Sequence, residues 1–210
     1  MRYKDLTLFS CVFLAALITS AQNQAYELAN SDATHGLISE FKLLGKGCET
    51  GTTINYDEST GITQLALSQL HTTINSEKKE DRTICLIKYT AEIPAYKQAI
   101  ITPAIIKGNI NISEYSKTTI SVRYRYAGTV GPASIWEFNG TANGEVVLKK
   151  GLTTEKSSCG QPQYLKLSIV LESRSLDPNL TLTTPQTTTI NEVLIPPITL
   201  EDCTPDSENI

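Results

Sequence analysis

The sequence predicts an all-β protein, an antiparallel β-sandwich or flattened barrel stapled by disulfides. Three observations carry that expectation. No segment keeps a helical hydrophobic period over three turns, whereas short β-branched or alternating runs recur between turn residues along the chain. At 210 residues and 40% hydrophobic content, the chain is long enough to bury a core in one domain. Four widely spaced cysteines, Cys48, Cys85, Cys159 and Cys203, follow a leader of the kind that directs export.

The leader comes first. Residues 1–5 are short and mainly basic, residues 6–18 are apolar, and Thr19-Ser20-Ala21 supplies small residues at the minus-three and minus-one positions. That order is a cleavable secretory signal. Its 13 apolar residues are too few to cross about 30 Å of hydrocarbon as a helix, so no stable membrane span is expected after cleavage. Cys11 lies inside the apolar run and leaves with it. The expected organisation is a signal over 1–21, a polar N-terminal arm over 22–39, a single β-sandwich over 40–203 and a C-terminal tail over 204–210. The expected localisation is secreted or periplasmic.

The strands follow in order. Residues 40–44 form a first short strand, and the glycine-punctuated turn Gly45-Lys46-Gly47 delivers Cys48. Its spacing does not match a phosphate-cradling loop, and no helix pattern follows. Residues 52–56 and 62–70 read as a hairpin around Asp57-Glu58-Ser59-Thr60-Gly61, with a bulge or twist where apolar parity switches between Leu67 and Leu70. After a charged loop, residues 82–91 are the central strand and hold Cys85. Pro103 marks an edge or bulge between residues 98–102 and 104–107, and Gly108 separates these from residues 109–113. Residues 118–126 alternate most cleanly: Ile120, Val122, Tyr124 and Tyr126 point one way, Ser121, Arg123 and Arg125 the other. Residues 134–138 and 145–149 make a second hairpin, and residues 164–171 alternate again. Threonine-rich residues 181–189, broken by Pro185, read as a mobile loop before residues 190–200 lead to Cys203.

Four exported cysteines allow three connectivities. Chain order and strand placement favour Cys48–Cys85 and Cys159–Cys203. The absence of a Cys-x-x-Cys pair, with only two histidines, argues against a zinc site.

Taken together, the Gly47-Cys48 turn, Arg82-x-x-Cys85, the strand ending Tyr126-Ala127-Gly128, the Cys159-Gly160 pair and a last cysteine near the end resemble a family of small secreted proteins of unknown function, domain of unknown function 4360. The resemblance covers roughly residues 41–203. It implies a secreted β-rich fold and brings no established activity or catalytic residues.

Composition narrows the chemistry. The net charge is −4, and removing Arg2, Lys4 and Asp5 with the signal leaves 16 basic against 21 acidic residues, −5. Mild acidity without a basic stripe argues against nucleic acid, whose binding rests on neutralising phosphates. His35 in the arm and His71 at a strand end do not make a triad, and no Gly-x-Ser-x-Gly turn occurs. No catalytic, cofactor-binding or metal residues are therefore assigned. Calcium at Asp57-Glu58 lacks a supporting acidic loop. For paired carboxylates of a glycoside-cleaving site, Asp57, Glu58, Glu137 and Glu145 all sit at predicted loop or strand positions, where solvated surface charge is the default reading. Arg123, Arg125 and Trp136 form the candidate ligand surface, since arginine grips carboxylates and aromatic rings stack on sugars. Asn111, Asn139 and Asn179 lie in glycosylation sequons. The leading expectation is a non-catalytic secreted protein with a binding or structural role toward a cell-surface, glycan or protein partner. The rival is a secreted hydrolase that cleaves glycans with carboxylates.

Overall fold

The computed structural model describes residues 37–126, 129–130, 133–149, 155–177, 179 and 181–203, and the regular elements within them are all β-strands. The expected signal, the arm through residue 36 with His35, Ala127-Gly128 and the tail 204–210 lie outside the described residues. Numbered in chain order, β1 (Ile38–Leu44), β5 (Glu80–Ala91), β13 (Gln163–Ser175), β8 (Ser116–Tyr126) and β10 (Ser134–Asn139) lie side by side, with β9 (Thr129–Val130) beside β8. A second six-stranded sheet runs β11 (Ala142–Leu148), β7 (Ile105–Ile112), β14 (Gln186–Ile195), β3 (Ile62–Ala66) and β2 (Thr53–Asp57), with β4 (His71–Ile74) also on β14. A small third sheet joins β12 (Glu155–Lys156), β6 (Lys97–Ile101) and β15 (Thr199–Asp202). Neither large sheet closes on itself, so the architecture is sandwich-like rather than a barrel.

Period-two alternation places the core between the two large sheets. On β13, Leu165, Leu167, Ile169 and Leu171 are buried while Tyr164, Lys166 and Glu172 face outward. On β8, Ile120, Val122 and Tyr124 are buried against them, as the alternation predicts. Ile106, Ile110, Ile190 and Val193 from β7 and β14 close the cluster from the other sheet. Burying each large aliphatic side chain contributes about 1.5–3 kcal/mol. Toward one end the interior turns polar. Thr118 shares hydrogen bonds with Ser173 at 2.8 Å and Thr188 at 3.0 Å, and Thr72 meets Ser173 at 2.6 Å. These buried hydroxyls satisfy one another across the two sheets, which avoids the desolvation penalty of unpaired groups.

Two bridges tie the chain, Cys48–Cys85 and Cys159–Cys203, with Cα atoms 5.2 and 5.9 Å apart. The first depends on the glycine turn. Gly45 has φ +96, and a Cβ there would meet the Ile84 carbonyl oxygen at 2.5 Å, so only glycine brings Cys48 so close to β5. The second links the segment after β12 to the end of β15, on either side of β6.

Several strand assignments differ from expectation. The first strand begins at Ile38, inside the expected arm. The run 62–70 is not one bulged strand. It breaks after Ala66, and β3 and β4 pair with successive stretches of β14, joined at the break by Leu67 N to Asn191 O and Ile190 N to Leu70 O. Parity switches because the chain leaves the ladder and re-enters it. Gly108 continues β7 rather than ending it, because the Thr189 carbonyl passes so close that any Cβ would clash at 2.1 Å. β10 and β11 are not a hairpin: β10 pairs with β8 and β11 with β7, so their short link crosses between sheets. The threonine-rich segment is a loop only in its first half, since residues 181–185 are irregular. From Gln186, after Pro185, it is an interior strand of the second sheet, where β-branched side chains suit a pleated surface.

Candidate functional site

The outer face of the first sheet carries the most developed surface features. Register sets its layout, because residues directly opposite on antiparallel strands share a face. One transverse row runs Lys42 on β1, Lys88 on β5, Lys166 on β13 and Arg125 on β8. The next row holds Leu44, Leu86, Ser168 and Arg123. Then come Ile84, Val170, Ser121 and Ile135, and after them Arg82, Glu172, Thr119 and Glu137. The face therefore grades from cations through an apolar band to interleaved charges.

At the interleaved end, Arg82 Nε donates to Glu172 Oε1 at 2.5 Å and Lys117 Nζ to Glu137 Oε1 at 2.8 Å. A groove of about 610 Å³ opens there, lined by both pairs with Thr119 and Ile135, and a second of about 340 Å³ adjoins it toward Arg123. Asp81, at the same end, accepts the Thr73 N–H at 2.8 Å and sits 2.6 Å from Lys78. Burial alone would push its acid up. Lys78 and the N–H groups of Thr73 and Arg82 together outweigh that and hold it below the usual carboxylate range.

At the cationic end the pattern is different. Among the described residues, none of the ion pairs involves Lys42, Lys88, Lys166, Arg123 or Arg125. Glu40, at the β1 bulge, accepts the Thr90 hydroxyl at 3.3 Å. Tyr164 is 71% exposed, opposite Thr90 and two residues from Lys166 on the same face. Beneath the row, Ile87, Leu167 and Leu165 are fully or almost fully buried. Tyr124 is buried there too; burial pushes its phenol well up, against a weaker pull from the Ala104 N–H at 2.7 Å.

The structure separates the expected ligand surface. Arg123 and Arg125 face outward, whereas Trp136 pairs with Ile120 and packs on the core from the inner side. Lys42, Lys88 and Lys166 were not singled out by the sequence, although alternation marks Lys88 and Lys166 as outward. The four candidate hydrolytic carboxylates are not brought together. Glu137 lies on the first sheet, while Glu145 on β11 and Asp57 on β2 occupy opposite edges of the second. Glu58 follows Asp57 in the loop. The Asp57 carboxylate accepts the Ser59 and Thr60 hydroxyls at 2.6 and 2.8 Å, which hold its acid below the usual range. His71 is exposed, and its carbonyl accepts the Thr83 hydroxyl at 2.7 Å. Asn111, Asn139 and Asn179 are all exposed. No group of three or more metal-ligating side chains occurs among the described residues, and no helix there is long and apolar enough to cross a membrane.

The family model described as Domain of unknown function (DUF4360) matches residues 36–191, and the chain belongs to that family. No curated protein matches the chain. Among solved structures, it is similar to TmCBM61 in complex with beta-1,4-galactotriose, at TM-score 0.30 and 11% identity over 71% of this chain and 91% of that one. It is also similar to the CBM36-1 domain of a multidomain xylanase from the hindgut metagenome of Trinervitermes trinervoides, at TM-score 0.21 and 11% identity over 79% and 100%. A third is the enzymatically active domain of bacteriophage CBA120 tailspike protein 4, at TM-score 0.24 and 9% identity over 85% of this chain and 22% of that one.

Proposed function

We propose that this chain, as a DUF4360 member, is an exported, non-catalytic binding protein that holds its partner on the outer face of the first sheet. In this reading the signal over 1–21 is removed and residues 40–203 work as one domain. The observation that carries it is the ion pairing of Glu172 and Glu137, two carboxylates that line the groove. A glycosidase needs one carboxylic acid kept protonated and a second carboxylate free to act as base or nucleophile. Glu172 lies against Arg82 at 2.5 Å and Glu137 against Lys117 at 2.8 Å, so each of these carboxylates is engaged with its own cation rather than facing the other across a shared point. The face offers grip rather than proton transfer. The test incubates the exported protein with purified cell-wall polysaccharides and follows both its depletion from solution and the appearance of reducing ends. Depletion without new reducing ends supports the reading. A time-linear release of reducing ends that E137Q or E172Q abolishes overturns it in favour of the hydrolase.

A further inference from the structure

We infer that the row Lys42–Lys88–Lys166–Arg125 is a subsite for a linear acidic polysaccharide, one with a carboxylate on successive sugar residues. The inference rests on the binding reading above and names its ligand class.

The argument starts from cost. Like charges directly opposite on neighbouring strands are destabilising. Here three successive cross-strand pairs are cation against cation: Lys42 with Lys88, Lys88 with Lys166 and Lys166 with Arg125. The chain as a whole has more acids than bases, 22 against 18, so such a row does not follow from composition. Elsewhere on the same face, cations have acids beside them: Arg82 lies against Glu172, and the opposed Arg174 and Lys117 are flanked by Glu80 on β5 and by Glu137, which pairs with Lys117. A run of four opposed cations with no acid in the row, its repulsion relieved when an anion arrives, is the arrangement expected of a polyanion site.

Geometry then selects among polyanions. Neighbouring strands lie about 4.8 Å apart, so four cations in register form a straight ladder about 14 Å long. An extended chain of uronic acid sugars advances by a similar distance per residue and presents one carboxylate each time. Tyr164, exposed one register step beyond Lys166 along β13, gives a sugar ring an aromatic surface beside the charges. On the other flank, Ser168 and Arg123 add hydrogen-bond donors at the level of the adjoining apolar band. The ladder lies on the face of a sheet, which suits an extended chain laid across the strands.

The test uses polygalacturonate, its fully methyl-esterified form and phosphatidylglycerol vesicles as probes of the same exported protein. The variants are K88Q/K166Q and, as a control on the other sheet, K107Q. The expected result is binding of polygalacturonate that weakens with salt, and no comparable binding of the ester. K88Q/K166Q should bind roughly tenfold more weakly, with the salt dependence roughly halved because two of four contacts are gone. K107Q should bind as the wild type does. Because Gln removes repulsion, the double variant should melt no lower than wild type, so lost binding cannot be assigned to unfolding. Equal binding of polygalacturonate and ester, or full binding by K88Q/K166Q, overturns the subsite and leaves the binding reading standing. Vesicle binding without polygalacturonate binding assigns the row to a membrane surface and overturns the inference, as does binding of no probe. Cleavage of polygalacturonate overturns the binding reading itself.

Discussion

At one end of the outer sheet face, Arg82 lies against Glu172 and Lys117 against Glu137; at the other, Lys42, Lys88, Lys166 and Arg125 face one another across four strands. Both ends sit on the same sheet and carry cations on β5, β13 or β8. They differ in what lies above and below. The paired end has its charges neutralised at the surface and buried hydroxyls of Thr118, Ser173, Thr72 and Thr188 beneath. At the cationic end none of the row's cations is in an ion pair among the described residues, and Ile87, Leu165, Leu167 and Tyr124 are buried beneath it. Charge that is already satisfied has little to offer a ligand, whereas unsatisfied charge on a rigid apolar base is preorganised for one. In the proposed reading, the larger groove on the face, about 610 Å³, is not the surface that holds the partner.

The largest way to break the comparison is to cut the bridge that holds one end together. Cys48–Cys85 fastens the segment after β1 to β5, and β1 supplies Lys42 to the cationic end only. C48A/C85A should lower stability by about 4 kcal/mol, an upper figure set by chain entropy. Amide exchange should accelerate in β1 before it does in β10 or β13. Chemical denaturation and hydrogen exchange check the two parts separately.

Asp81 probes the paired end. Its acid is held below the ordinary 3.8, so it contributes stability above that pH and loses it as pH falls through the depressed value. D81N should cost about 1 kcal/mol at neutral pH, through the lost charge on the Thr73 N–H and Lys78. Melting curves of variant and wild type should converge below about pH 4. A gap that stays constant across that range would mean that Asp81 acts by packing rather than by charge.

Much of this was legible in the sequence, and what was not has a definite cause. Alternation correctly turned Arg123 and Arg125 outward and Ile120, Val122 and Tyr124 inward, because parity along one strand is a local property. The break at Leu67–Leu70 showed as a parity switch, but not as two strands sharing β14, since that requires knowing the partner. Trp136 was misplaced beside the arginines for the same reason: its face is fixed by pairing with Ile120, not by nearness in sequence. The row of four cations was invisible. Lys42, Lys88, Arg125 and Lys166 belong to β1, β5, β8 and β13, and only the sheet order β1-β5-β13-β8 lines them up. Threonines 187–189 read as a loop because composition outweighed the β-branched signal.

A smaller change sharpens the comparison by making one end resemble the other. E172Q removes the partner of Arg82 and leaves that guanidinium free on the same face. Polygalacturonate binding should tighten by about threefold, the scale of one exposed charge pair. Stability should fall by no more than about 1 kcal/mol. Weaker binding in E172Q would mean that the carboxylate itself touches the ligand, and the two ends would then share the work.

The most direct test of the cationic row is a backbone amide shift map of isotopically labelled protein titrated with a short oligogalacturonate. The account predicts shifts clustered at Lys42, Lys88, Lys166 and Arg125, extending to Tyr164, with Arg82, Lys117 and Glu137 essentially unmoved. Shifts concentrated in the groove between Arg82 and Glu137, or on the second sheet, would contradict it.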